Sequence, residues 1–155
     1  MTLTADDTGV YARHSERLGR YVEVGTASGQ VVSVSFPETA PGDAADDGAV
    51  LSRVFEYLDG EADEFQDIAV ALTVPTDHRT VLEATRNVPY GRSVGARRVA
   101  RMAAGIDPDD DEDVRTVQSA LRENPVPVFV PDHRVETSGA TPGPVADRLR
   151  EMEGI

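Results

Sequence analysis

The chain has no cysteine, no tryptophan and no lysine. Without cysteine there is no disulfide, no thiolate metal site and no thiol nucleophile. Without lysine, all 15 basic residues are arginines, set against 28 Asp and Glu for a formal net charge of −13. No apolar run approaches the roughly 18 residues needed to span a bilayer. Residues 1–9 are polar, carry Asp6 and Asp7, and do not resemble a secretory signal. A cytoplasmic location with no membrane partner is therefore expected. An acidic surface, few aromatics and many Ala, Val and Asp residues resemble a cytosolic protein of a salt-accumulating halophile, in which carboxylates keep the chain soluble. The alternative on composition alone is an acidic protein-binding module. The choice bears on partners, because acidity ordinarily argues against nucleic acid. At molar salt the Debye length falls to about 3 Å and the salt-dependent part of DNA affinity is lost. DNA binding by such a chain has to rest on groove fit, stacking and a base pocket.

At 155 residues the chain is long enough for one domain or two very small ones. Residues 1–9 suggest a loose tail. Residues 21–25 and 30–36 alternate apolar and polar side chains around the turn-forming Thr26-Ala27-Ser28-Gly29, which predicts a β-hairpin with one buried face. Residues 37–48 have loop composition. Val50, Leu51, Val54, Phe55 and Leu58 recur at helical spacing, with Gly60 as the stop. Ile68, Val70, Leu72 and Val74 fall on alternate positions and predict a third strand over 65–75. The first 75 residues thus form a small α/β unit without evident chemistry. From residue 76 the pattern turns helical. Thr76 or Asp77 is the expected cap of a helix carrying Val81, Leu82 and Ala84; Ser93 opens a second helix through Met102; a third runs from about Glu112 to Glu123 behind an acidic start. Two short helices, a third after a loop and then a strand describe a helix-turn-helix with a wing. No internal repeat is evident.

The stretch Asn124-Pro125-Val126-Pro127-Val128-Phe129-Val130-Pro131-Asp132-His133-Arg134-Val135 carries the most chemistry. Residues 126–130 are a short apolar run, rich in β-branched side chains and broken by Pro127, which predicts a buried strand at a sheet edge or bulge, ended by Pro131. It delivers Asp132, His133 and Arg134 at its exit. On physics alone this is either a set of site residues on a rigid support or an edge strand running into a polar turn. The pattern Asn-Pro-Val-Pro, Pro-x-His-Arg-Val resembles the active-site strand of the O6-alkylguanine-DNA alkyltransferases, whose motif is Pro-Cys-His-Arg-Val. Val88-Pro89-Tyr90-Gly91 is similar to that family's turn before the second helix, and residues 149–154 to its C-terminal helix end. The resemblance covers residues 77–155 in family order and spacing. It also extends weakly to the N-terminal unit.

The resemblance implies a fold of two parts: a small α/β, ribonuclease-H-like unit over 1–75 and a winged helix-turn-helix DNA-binding domain over 76–155, with no cofactor and no metal. It places Asp132 where the family has its acceptor cysteine. The chain then has the family's frame without the alkyl acceptor, like the alkyltransferase-like proteins that bind damaged DNA without repairing it. His133 and Glu153 fall on the family's base and orienting carboxylate. Two carboxylates then flank one imidazole with no thiol to activate, leaving His133 to hold the turn by hydrogen bonds. Family spacing puts Arg115 where an arginine enters the minor groove and fills the space of a rotated-out nucleotide, a task suited to a planar, stacking guanidinium. Gln118, Ser119, Asn124 and Arg134 complete the DNA-contact set the resemblance implies, Asn124 as the hinge tying the third helix to the active-site turn. The chain departs from the family at Thr116 and Gln118, where small residues are expected, at Ala96, where a phosphate-rotating Tyr is expected and Tyr90 stands too early to replace it, and in a shortened loop between Val135 and Leu149. The implied partners are double-stranded DNA, with O6-alkylguanine as the lesion, and other repair proteins. The alternative is a degenerate alkyltransferase fold serving as a protein-interaction module without DNA binding. Joint hydrolase chemistry by Asp132 and His133 is disfavoured, because neighbours on an extended strand point to opposite sides.

Overall fold

A computed structural model describes residues 8–155. Three strands, β1 (Gly9–Ser15), β2 (Arg20–Ala27) and β3 (Gln30–Ser35), form an antiparallel sheet in the order β1-β2-β3. The predicted hairpin is β2-β3. Its turn is narrower than expected: Thr26 and Ala27 stay in the strand, while Ser28 (φ 53°) and Gly29 (φ 77°) make the reversal with two left-handed residues, the backbone that matches strand twist. Strand β1 was not foreseen, because its buried positions are Ala12 and Ser15 and give no apolar alternation. Of the expected tail, residues 1–7 lie outside the described residues and Gly9 already pairs with Thr26.

Each sheet edge is met by a single isolated bridge, which shortens the free edge that association could use. Ala12 N–H donates to Ala45 O and Ala45 N–H to Val10 O on the β1 side. On the β3 side, Val31 N–H donates to Ala69 O and Ala71 N–H to Val31 O. That is all the pairing the expected strand over 65–75 makes: it is a single bridge at Val70, not a strand. The residues that bury are Phe65, Ile68 and Leu72, spaced three and four apart. This spacing sets the chain against the core without a period of two.

Five helices follow: α1 (Ala49–Leu58), α2 (Thr76–Thr85), α3 (Ala96–Met102), α4 (Asp111–Arg122) and α5 (Gly143–Glu153). Helix α1 ends as expected before Gly60, whose φ of 111° is a glycine conformation. Helix α2 has Pro75, not Thr76 or Asp77, at its N-cap, with no side-chain cap bond. Helix α3 begins three residues later than Ser93 because Val94 is held elsewhere, its N–H on Arg134 O and its C=O taken by Glu136 N–H. At α4, Asp110 accepts from Glu112 N–H at 2.8 Å, so the acidic run supplies a true cap. No helix among the described residues is long and apolar enough to cross a membrane.

The core is continuous from Val22, Val24 and Val31 on the sheet through Leu51 and Tyr57 of α1 to Leu82, Leu121, Phe129 and Leu149. It passes without interruption across residue 75. Residues 126–130 correct the expected strand. They fold into a tight buried turn in which Val130 N–H donates to Val126 O at 3.0 Å and Val128 takes φ 78°. A β-branched residue rarely adopts that backbone. Three prolines, at 125, 127 and 131, remove the donors a ladder requires, and Val126, Val128, Phe129 and Val130 are all buried as anchors. Val34 N–H of β3 donates to Pro125 O at 3.0 Å, tying the sheet to this turn.

Candidate functional site

Asn124, immediately after α4, organises the turn. Its Nδ2 donates to Val130 O and to Asp132 Oδ2, both at 2.9 Å, while its Oδ1 accepts from Val126 N–H at 3.0 Å. One amide therefore replaces the ladder that the prolines forbid. Asn124 is 4% exposed, so it acts inside the molecule and offers nothing to a ligand.

The turn ends in a 3₁₀ turn, Asp132–Arg134, all of it buried. The expectation that Asp132 and His133 leave an extended strand is corrected, and the alternation argument against their acting together no longer applies. They nonetheless face different partners. Asp132 Oδ2 accepts from Asn124 and from Thr141 N–H at 3.3 Å, while Oδ1 is buried without a hydrogen-bond partner among the described residues. Gly139 presses on this carboxylate: a Cβ there would stand 2.6 Å from Asp132 Oδ1. Burial pushes the Asp132 carboxyl above its usual range, and the bonds from Thr141 and Asn124 hold the rise back.

His133 Nε2 lies 2.7 Å from Glu153 Oε2, and its Nδ1 is buried without a hydrogen-bond partner among the described residues. Only one of the two expected carboxylates is therefore bonded to the imidazole. Glu153 is the hub of the site. Its Oε1 accepts from Gly91 N–H (3.1 Å) and Arg134 Nε (2.8 Å), and its Oε2 from Arg134 Nη2 (3.1 Å) and from the Tyr57 hydroxyl. Burial alone would raise its pKa, but the bonds from His133, Arg134 and Tyr57 outweigh it and bring the carboxyl down to about 2. Burial, reinforced by the Glu153 charge, pushes the Tyr57 phenol well above its usual range, so it is a donor at any ordinary pH.

Arg134, expected among the DNA contacts, is 2% exposed. Its guanidinium is bound to Glu153 and to Val88 O at 2.9 Å and lies against the Tyr90 ring. It braces the 88–91 turn and presents no group outward. Tyr57, Thr141, Gly139 and Arg150 were missed by sequence reasoning. Tyr57 lies in α1 among residues whose helical spacing marks them as core, with no signal that its hydroxyl reaches Glu153 across 96 residues of chain. Arg150 Nε donates to His133 O at 2.9 Å, one helical turn before Glu153. Beside Asp132 a pocket of about 210 Å³ is lined by Ser138, Gly139, Thr141, Ala146 and Arg150.

The second group of predicted residues stands on α4. Arg115 is exposed, Gln118 and Ser119 half-buried. They fall three and four residues apart on one side, opposite the buried Val117, Ala120 and Leu121. Arg115 and Ser119 line an open depression with His78 of α2 and Thr116. The molecule therefore separates the predicted residues into a surface set, the exposed Arg115 with the half-buried Gln118 and Ser119, and a buried frame, Asn124, Asp132, His133, Arg134 and Glu153.

Residues 60–154 match the family model described as the DNA binding domain of 6-O-methylguanine DNA methyltransferase. The chain is 30% identical over 115 residues to a methylated-DNA–protein-cysteine methyltransferase of Archaeoglobus fulgidus, covering 74% of this chain and 72% of that protein. It is 33% identical over 110 residues to the protein of the same name from Methanopyrus kandleri, covering 67% and 79%. The fold is similar to that of Mycobacterium tuberculosis OGT in complex with DNA (TM-score 0.70, 21% identity, 93% and 91% of the two chains). It is also similar to the O6-methylguanine-DNA methyltransferase of Pyrococcus kodakaraensis (TM-score 0.64, 23% identity, 94% and 99%). A mixed α/β chain with this buried Asn124-to-Glu153 frame, matched over residues 60–154, belongs to the 6-O-methylguanine DNA methyltransferase family.

Proposed function

We propose that this chain is a non-catalytic member of its family, a DNA-binding protein that senses O6-alkylguanine and marks it for other repair proteins in the cytoplasm of a halophile. The single observation that carries the reading is Asp132. At the position where the resemblance puts the acceptor cysteine, a carboxylate is buried under Gly139 and hydrogen-bonded by Asn124 and Thr141, and no cysteine exists elsewhere in the chain. A carboxylate is a far weaker nucleophile than a thiolate, and an ester formed on it is labile. In this reading α2 to α4 are a helix-turn-helix and the first 75 residues are the ribonuclease-H-like unit; the strand expected to follow α4 as part of a wing is the buried 126–130 turn. Arg115 is the wedge, with Gln118 and Ser119 beside it against the duplex. Asn124 and Arg134 contribute by holding the turn.

The test is a binding assay on duplexes with and without O6-methylguanine in molar KCl, followed by intact mass of the protein. Tighter binding to the lesion with unchanged mass is expected. A stoichiometric methyl adduct would overturn the non-catalytic reading, and equal absence of binding to both duplexes would leave an interaction module in its place.

A further inference from the structure

A groove of about 370 Å³ runs between the 87–94 segment and the outer side of α3, with Val88, Pro89, Val94 and Met102 as its apolar wall and Arg92 and Arg98 beside it. Met102 is 37% exposed there. Residues 91–106 contain four arginines and no acidic residue, in a chain of net charge −13. Arg20, Arg53, Arg134 and Arg150 are matched with carboxylates, Arg20 with Glu38, Arg53 with Asp63 and Asp67, Arg134 with Glu153 and Arg150 with Asp147. Arg97 reaches the start of α4 at Pro108 O and Asp111. Arg92 and Arg98 form no ion pair among the described residues. Arg98 stands about 100° round the helix from Arg97, and this groove shares no residue with the depression at Arg115.

We propose that this groove docks an acidic segment of a partner protein, which seats one aliphatic or aromatic side chain against Met102 and Val94 and sets its carboxylates on Arg92 and Arg98. An apolar wall lined also by Arg92 and Arg98 matches an anchored acidic peptide, because bidentate Arg–carboxylate pairing supplies register and the buried side chain supplies affinity. A nucleic-acid backbone has phosphates for the arginines but nothing to fill the apolar wall. At molar salt, where long-range attraction is screened, the buried anchor carries the larger share. Duplex binding by groove variants separates this groove from the depression at Arg115, with which it shares no residue.

The experiment is selection of a random displayed peptide library on the full chain, with counter-selection on Arg98→Glu. The expected result is enrichment of peptides with Asp or Glu flanking Leu, Ile or Phe. A synthesised winner should lose at least about tenfold in affinity, roughly 1.4 kcal/mol, with Arg98→Glu, with Met102→Ser and with Arg92→Ala. Replacing its acidic residue by Lys should restore binding to Arg98→Glu, and duplex binding should be unchanged in all three variants. These substitutions lie on the surface and leave the core intact. No enrichment over counter-selection, or winners that bind the variants equally, overturns the proposal. So does a loss of duplex binding in Arg98→Glu as large as in Arg115→Ala, which would make the face a phosphate contact.

Discussion

A carboxylate at position 132 costs stability where it stands. Asp132 is buried, one oxygen has no hydrogen-bond partner among the described residues, and burial raises its pKa. The native state then binds its proton more tightly than the unfolded chain does. The stability it contributes is complete below the ordinary value of 3.8 and declines as pH rises through the raised one. Glu153 has the opposite sign. With a native pKa near 2 against an ordinary 4.5, its contribution is complete above 4.5 and is lost as pH falls towards 2. Asp132→Asn is expected to keep an acceptor for Asn124 and Thr141, remove the buried charge, and raise stability at neutral pH by about 1 kcal/mol or more, because an under-bonded buried group costs more when charged than as a neutral amide. Denaturant midpoints across the acidic to neutral range check this, and a wild-type decline that persists in the variant would refute it. Glu153→Gln leaves Arg134 buried without its countercharge and is expected to cost about 3–5 kcal/mol, measured the same way. On the ligand side, Asp132→Ala opens space beneath Gly139 and removes an acceptor that opposes acceptor-only base edges. Affinity for the O6-methylguanine duplex should rise. Unchanged affinity in both Asp132→Ala and Asp132→Asn would show that no base enters this pocket.

Helix α4 joins the two groups of predicted residues: its outer side carries Arg115, Gln118 and Ser119, and its C-terminal end leads into Asn124. Its formation depends on a local cap, Asp110, with Asp111, Glu112 and Asp113 in the favourable first turn. Asp110→Ala is therefore expected to cost about 1 kcal/mol, read as a shift in thermal midpoint, and the cost should change little with salt because the cap is a short hydrogen bond. Arg115→Ala should weaken duplex binding by about 1–3 kcal/mol, the value of a stacked base contact, with Arg17→Ala in the β1-β2 loop as the control. Equal losses from both would mean diffuse charge attraction, not a wedge. The turn over 126–130 shows why local pattern misleads at this scale. Its composition is that of a strand, yet the prolines leave too few donors and Asn124 takes the remaining groups, so a buried turn results.

Over the whole molecule, Tyr57 of α1 bonds Glu153 of α5, and the core passes unbroken between the two halves of the chain. Unfolding is expected to be one cooperative transition, with Tyr57→Phe lowering it as a whole by about 1–3 kcal/mol through the lost donor. Scanning calorimetry that resolved two transitions would instead mean that the halves fold separately. Sequence by itself determined the hairpin, α1, three of the four helices after residue 75 (α2, α3 and α4), the family and the absence of any cysteine, because each is written in local periodicity, composition or motif spacing. Only the tertiary structure decided which of the predicted residues are buried and which reach the surface. Arg134 and Asn124 turned inward, since a buried Glu153 and a ladder-less turn required donors, while Arg115 stayed outside. The partners that complete the site, Tyr57, Thr141, Gly139 and Arg150, come from elsewhere in the chain. Their roles arise from long-range packing, which brings together groups that no local pattern in the sequence relates.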